Sequence, residues 1–415
     1  MAGDPGSNRS ERFRLGVNYW PARTAMGWWA DFDRAEVAAD FARIAASGLD
    51  SVRLFLIWED FQPSPEEVDG EMLDRLVAVA DLAGSSGLAI VPTLFTGHMS
   101  GVNWIPPWAL GESDGGDRFR VVSGGRVTRA GLRNWYADPD VAHAQALLAG
   151  EAAAALAGHE AVWAWDLGNE SSNCVVPPSR SSARDWLQRI TSAIRAADPA
   201  TLVTVGLHLE DLEEDRGLGP REACGACDFL SMHGYPIYAH WADGPTDEHV
   251  LPFLAHMTRW LGQGRELLFS ELGLPTYRRG DPGGERARRR SPSPHVEEQA
   301  AAAYTERALV ALHRAGCVGA MLWCYTDYDA AIWEHPPLET AVHERSFGLW
   351  RADGSPKPSV AAVEAFAGAV RVDDTGKHEW IDIEPDEFYL DPGVHLPRLY
   401  RRYRHNEGTS SPQVA

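Results

Sequence analysis

The sequence predicts a (β/α)8 barrel. Three observations carry that prediction: eight near-continuous apolar runs of strand type, amphipathic helical stretches between them, and polar side chains gathered at the C-terminal ends of the runs. Runs that are apolar without alternation suit strands covered on both faces, as in a parallel sheet wrapped by helices. The polar ends favour a closed barrel over an open doubly wound sheet, because barrel sites are assembled at one mouth from several strand ends.

The elements follow in order. FRLGVNYW (13–20) opens the barrel, and the helical pattern AEVAADFARIAASG separates it from SVRLFLIW (51–58), which carries Arg53. EMLDRLVAVADLAGSSG then leads to LAIVPTLF (88–95), just ahead of His98. The fourth run, AVWAWDLGNE (161–170), ends in Asn169 and Glu170, and the fifth, TLVTVGLH (201–208), ends in His208. DFLSMHGYP (228–236) delivers His233 and Tyr235, ELLFSELGLP (266–275) delivers Glu271, and GAMLWCYTD (319–327) delivers Trp323. KPSVAAVEAFAGAV supplies a last barrel helix. The expected organisation is a mobile N-terminus (1–12), a catalytic barrel (13–370) and a C-terminal extension (371–415). The aromatics of the extension suit packing on the barrel, with a mobile end.

Two long insertions interrupt the alternation. The first, 96–137, holds Trp104, Trp108, Trp135 and Tyr136; the second, 328–350, holds Trp333, Glu334, His335 and Trp350. Long loops rich in aromatics suit a functional wall better than a disordered linker, so Trp104, Trp108, Trp333 and Glu334 are expected at loop subsites. The segment 278–295 is rich in Gly, Pro and Arg without aromatics, which suits a solvated loop.

Composition narrows the function. A chain of 415 residues with 44% apolar and 23% charged residues can bury a large core without disulfides or metal. Its net charge of -21 argues against nucleic acid and anionic membrane surfaces as partners and favours a neutral substrate. The first residues carry no apolar leader and no later run is long enough to span a bilayer, so a cytoplasmic location is expected. The five cysteines do not form a secreted disulfide framework. CGAC at 224–227 lacks both a thioredoxin-like context and a second ligand pair for zinc, which favours a structural role. No GxGxxG fingerprint follows the first strand, and no P-loop is found.

The two carboxylates define a chemistry. Retaining hydrolysis of a sugar acetal needs two carboxyl groups about 5–5.5 Å apart, one as nucleophile and one as acid, then base. Strands four and seven face each other across a barrel mouth, so Glu170 and Glu271 can form that pair. Arg53 is placed to keep Glu271 ionised, with Tyr235 able to donate a hydrogen bond. Glu170 needs a raised proton affinity, which a partly desolvated site and a neighbouring carboxylate both favour. Asn169 offers an amide to the sugar 2-hydroxyl, and Trp323 an aromatic face to the pyranose. His98 and His208 fit either substrate binding or a hydrogen-bonded place at the rim. This chemistry needs no metal and no cofactor.

VRLF with Arg53, WDLGNE with Asn169 and Glu170, HGYP with His233 and Tyr235, SELG with Glu271 and LWCY with Trp323 together resemble glycoside hydrolase family 5 of clan A. The resemblance covers roughly 13–370. It implies retaining hydrolysis of β-linked glycosides without a cofactor, with Glu170 as acid/base, Glu271 as nucleophile, and His98, Arg53, Asn169, His233, Tyr235 and Trp323 as substrate-binding residues. GVNYWPARTAMGWWADFD, VRLFLIWEDFQPSP and ERSFGLWRADGSPKPS are similar to the β-mannosidase and β-mannanase-like branch. An exo-acting β-mannosidase on small oligosaccharides is the expectation. The alternatives are an endo-mannanase, an endoglucanase, a β-glucosidase or β-galactosidase, or a noncatalytic sugar-binding barrel.

Overall fold

Eight parallel strands close into a barrel in the computed structural model, which describes residues 12–410 apart from 113–117, 283, 284, 286, 287, 290, 292 and 375–377. They are β1 (Arg14–Asn18), β2 (Ser51–Phe55), β3 (Ala89–Thr93), β4 (Ala164–Asn169), β5 (Leu202–His208), β6 (Leu230–His233), β7 (Leu267–Leu272) and β8 (Gly319–Leu322). Each pairs with its sequence neighbours, and β8 closes on β1 through Arg14–Gly319 and Val17–Leu322. Each strand lies within one of the eight apolar runs. The observed strands are shorter than the runs because the last residues of each run turn away into the mouth.

The helices between the strands start where capping chemistry permits. Asp33 caps α1 (Arg34–Ala46), Asp69 caps α2 (Gly70–Ser85), Asp138 caps α3 (Pro139–Ala155) and Ser179 caps α4 (Arg180–Ala197), each accepting backbone N–H groups of the first turn. The β5–β6 connection uses only the short helical turns Glu210–Glu213 and Pro220–Ala223. α5 (Val250–Leu261) and α6 (Glu298–Arg314) complete the next two crossovers, and α7 (Pro358–Phe366) follows β8. Both faces of the barrel sheet are therefore covered, which explains why its strands read as apolar without alternation.

Beyond the barrel, α8 (Pro392–Ser410) brings Tyr400 and Tyr403 against Phe253 of α5, with ring centroids 5.1 and 5.7 Å away. Trp380 joins the same cluster, 5.5 Å from Phe253. All five cysteines are free thiols. Cys224 and Cys227 are buried, and burial pushes both thiols up, away from the thiolate form that redox or metal chemistry needs. Among the described residues no helix is long and apolar enough to cross a membrane. The expectations for residues 1–11, for the chain end at 411–415 and for part of the 278–295 loop fall outside the described residues.

One glycine shows how tightly the barrel interior is filled. A Cβ added at Gly206 of β5 would lie 2.9 Å from the Gly168 carbonyl oxygen and 3.0 Å from Nη2 of Arg53. The strand has no side chain there because the Arg53 guanidinium occupies the space. Gly206→Ala should destabilise the fold by about 1–3 kcal/mol through overpacking, measurable as a lower midpoint in urea unfolding.

Candidate active site

Arg53 organises the mouth. It is fully buried on β2 and reaches across the barrel interior. Its Nε and Nη2 donate to Asp166 Oδ2 of β4 at 2.9 and 2.6 Å. Nη1 donates to Glu271 Oε1 at 2.6 Å and Asn18 Oδ1 at 3.1 Å, and Nη2 donates to Asn169 Oδ1 at 2.7 Å. Asp166 also accepts from Thr93 Oγ1 at 2.9 Å and the Gly206 N–H at 2.9 Å, so the buried carboxylate is saturated. Tyr235 O–H donates to the other oxygen of Glu271 at 2.7 Å. Glu271 is thus held in one orientation by a cation and a phenol.

Glu170 terminates β4 in a different environment. Its backbone is left-handed (φ 47°, ψ 43°), uncommon for a residue with a Cβ, and this turns the carboxyl back over the mouth. Oε1 meets Nδ1 of His233 at 2.9 Å, and Oε2 accepts from Asn173 Nδ2 at 3.2 Å. His208 Nδ1 lies 4.0 Å from Oε2. His233 Nδ1 is also 3.6 Å from Glu271 Oε1, so the imidazole stands between the two carboxyl groups. An oxygen of Glu170, one of Glu271 and His233 Nδ1 all lie within 4.8 Å of one another.

The proton affinity of Glu170 departs from the sequence expectation of a raised value. Burial pushes it up, but the charge of His208 and the hydrogen bond and charge of His233 outweigh burial and hold the carboxyl below its usual range. The charge contributions act only while the imidazoles are protonated, whereas the His233 hydrogen bond is also open to a neutral ring with its hydrogen on Nδ1. With neutral imidazoles, burial and the nearby Glu271 charge both favour the protonated acid.

These groups open into a cavity of about 410 Å³, within the size range of small-molecule sites. Its walls come from the loops after β3 to β8, and none of its lining residues follows β1 or β2. Of the expected site residues, His98, Asn169, Glu170, His233, Tyr235, Glu271 and Trp323 line it, while Arg53 lies beneath. His98 is buried against Phe119, with ring centroids 4.2 Å apart, and its Nδ1 donates to Asn103 Oδ1 at 2.8 Å. His208, Arg118, Phe119, Tyr238, His343 and Glu344 also line the cavity.

The four residues expected at loop subsites do not line it. Trp104 packs into the core with its indole N–H on the Met99 carbonyl, and Trp108 donates to the Gln62 carbonyl beneath the first insertion. Trp333 donates to the Tyr328 carbonyl and lies under Arg345. Glu334 is exposed beside it. The second insertion instead contributes Glu344, ten residues further on. Glu344 Oε2 accepts from Trp323 Nε1 and Ser100 Oγ, both at 3.1 Å, and burial together with the Glu271 and Glu170 charges raises it to about 7. A carboxylate in the fragment HERSFGLW was the available signal, but nothing in the fragment tells which of its polar residues faces inward.

No family model matches the sequence, and no curated protein matches it. Solved structures do. A GH5_18 variant from Streptomyces cattleya in complex with Manβ1-4GlcNAc is 22% identical, with a TM-score of 0.75 over 96% of this chain and 92% of that one. The Streptomyces cattleya GH5_18 in complex with GlcNAc is 23% identical, with a TM-score of 0.77 over the same shares. The exo-β-1,4-mannosidase from Opitutaceae bacterium strain TAV5 is 27% identical, with a TM-score of 0.67 over 86% of this chain and 59% of that one. The eight-stranded barrel is the fold of these glycoside hydrolase family 5 neighbours. The fold and the family resemblance read from the sequence are therefore those the neighbours show.

Among the described residues two groups have ligand atoms close enough for a metal ion: Glu170, His233 and Glu271, and His256, Asp374 and His378. Arg53 already neutralises Glu271 in the first, and Arg259 Nη1 sits 3.2 Å from Asp374 in the second, where it disfavours a cation. The arrangement of Glu170 and Glu271 suits proton transfer and nucleophilic attack without one.

The raised affinity of Glu344 makes a stability prediction with a definite sign. Its unfolded carboxyl titrates near 4.5 and its folded one near 7. The stability from holding that proton is complete below pH ~4.5 and is lost as pH rises to about 7. Glu344→Gln, which cannot ionise, should therefore gain melting temperature relative to the unsubstituted protein at pH 8 and not at pH 4. Differential scanning calorimetry across that range checks it; parallel curves would contradict the buried, uncompensated carboxyl.

Proposed function

We propose that this protein is a retaining β-glycoside hydrolase, acting as an exo-β-mannosidase on small β-linked manno-oligosaccharides in the cytoplasm. The observation that carries the reading is the carboxyl pair. Oxygens of Glu170 and Glu271 within 4.8 Å match the separation of about 5 Å used by retaining enzymes, and leave no room for the water that inverting enzymes place between carboxyls 6.5–9.5 Å apart.

In this mechanism Glu271, kept ionised by Arg53 and oriented by Tyr235, attacks the anomeric carbon. The bond to the leaving oxygen breaks as Glu170 gives that oxygen its proton, and a glycosyl ester forms on Glu271. Glu170, now ionised, takes a proton from water, whose oxygen attacks the same carbon and frees Glu271. His233 contacts both carboxyl groups and so feels the charge leave one and appear on the other. Loading Glu170 with its proton is favoured when the neighbouring imidazoles are uncharged. Asn169 Nδ2 donates to the His98 carbonyl and has a second hydrogen for the sugar 2-hydroxyl, and Trp323 supplies the apolar wall.

Exo action is supported by the way the two insertions meet. Ser100 of the first donates to Glu344 of the second, and Arg120 of the first pairs with Glu339 of the second at 2.8 Å. The first insertion also rests on the β2 loop, where the Gly124 N–H donates to Glu59 at 2.7 Å. This bridge spans the β1 and β2 side of the mouth, while the cavity stays lined by the loops after β4, β5 and β6, next to the acid Glu170. A leaving group fits on that open side, and a second sugar beyond the bridge does not. The mannose assignment is supported by the neighbours, one bound to Manβ1-4GlcNAc and one named an exo-β-1,4-mannosidase.

Glu271→Gln should lower turnover more than about a thousand-fold while leaving the fold intact. Glu170→Ala should slow Manβ1-4GlcNAc by about 10²–10⁴-fold and an activated aryl β-mannoside far less, because its departing oxygen scarcely needs a proton. Equal losses on both substrates count against Glu170 as the acid. Early-time NMR should show the β-anomer of the released sugar, and an inverted product would remove the nucleophile role of Glu271. β-1,4-Mannobiose should yield mannose alone, with little viscosity loss from polymeric mannan; early mannotriose and longer products would rule out exo action.

A further inference from the structure

Glu344 is a further carboxyl in the cavity besides Glu170 and Glu271, and the proposed reaction does not use it. It lies in the short helical turn Val342–Ser346 with its side chain 7% exposed. Trp323 Nε1 and Ser100 Oγ both donate to Oε2, whereas the nearest group to Oε1 is His343 Nε2 at 3.4 Å. His343 is itself held neutral, pushed down by burial to about 4. Among the described residues no Arg or Lys pairs with Glu344, in contrast to Glu271 with its Arg53. One oxygen of a buried carboxyl therefore faces a cavity without a strong protein partner. Such a group is costly to keep unless something that enters the cavity completes its hydrogen bonding.

Its place says which part of a sugar that is. The reacting carbon must sit between Glu271 and Glu170, with the leaving group toward the loops after β4, β5 and β6. The end of a pyranose ring opposite C1 then points toward the bridge, where Ser100 and Glu344 meet. That end carries the 3- and 4-hydroxyls.

We propose that Glu344 is a specificity-determining residue that hydrogen-bonds the terminal sugar through the hydroxyls remote from C1, chiefly the 4-hydroxyl. This rests on the glycosidase reading. Protonated, the carboxyl can donate to one hydroxyl and accept from its neighbour, which two adjacent ring hydroxyls can satisfy together. A chain extended at the 4-position loses that hydroxyl and meets Glu344 and Ser100 instead, so the same residue would exclude internal sugar units.

The test compares an aryl β-mannoside with its 4-deoxy analogue, or the aryl β-glycoside pair of whichever epimer the enzyme hydrolyses. The unsubstituted enzyme should lose about 10–100-fold in kcat/KM on the 4-deoxy substrate. Glu344→Ala should lose a similar factor on the parent and nothing further on the analogue. Glu344→Gln, which keeps the shape and both hydrogen-bonding capacities, should recover most of the discrimination and guards against a variant that fails to fold. Equal losses of Glu344→Ala on parent and analogue would overturn this inference alone. If the unsubstituted protein hydrolyses no aryl β-glycoside, the glycosidase reading falls and this inference falls with it.

Discussion

A buried guanidinium is the constraint on which the rest of the site depends. Arg53 lies at full burial among apolar strands, where an unpaired cation would be destabilising by several kcal/mol. The barrel meets that demand with two carboxylates and two amide oxygens, contributed by β1, β4 and β7. Asp166 is held from every side and is structural. Glu271 shares the same cation but keeps an oxygen for Tyr235 and the cavity. Gly206 keeps the channel open for the guanidinium. The position of Glu271, the proposed nucleophile, thus follows from the solvation of one arginine.

The same constraint separates three of the carboxyl groups that line the cavity. Glu271 has the Arg53 cation and the Tyr235 phenol. Glu170 has the imidazoles of His208 and His233 and the Asn173 amide, with no guanidinium ion pair among the described residues. Glu344 has an indole, a hydroxyl and a neutral imidazole, and it tends to keep its proton. Three identical functional groups acquire three behaviours because the low dielectric of the mouth magnifies small differences in partners.

What the sequence made legible is what local pattern encodes. Strand positions could be read because burial on both faces forces continuous apolar runs, and the polar residues ending those runs could be assigned to one mouth because parallel strands share a direction. Asp166 carried a readable signal that was passed over: an acid in the middle of AWDLGNE must be buried, and a buried acid needs a cation such as Arg53. The insertions were not legible. Their tryptophans looked like subsite walls, yet Trp104, Trp108 and Trp333 spend their indole N–H groups on backbone carbonyls within the loops. Which loop residue faces the cavity is decided by contacts between residues more than two hundred positions apart, such as Ser100 with Glu344. The lowered proton affinity of Glu170 was hidden for the same reason, since His208 and His233 reach it from other strands.

The left-handed backbone at Glu170 belongs to this same logic. A non-glycine residue in that conformation is strained unless its surroundings fix it, and here the Glu170 N–H donates to the Gly206 carbonyl while Asn169 is tied to Arg53. The anchor of the strained turn is therefore the arginine network that also holds the nucleophile. If Glu170 and Glu271 hung on separate loops, each could drift independently by the 1 Å that suffices to spoil the proposed catalysis. Coupling both to Arg53 makes their separation a property of the barrel core rather than of its mobile rim. The loops are then free to vary in what they admit, without disturbing the distance on which a double displacement depends.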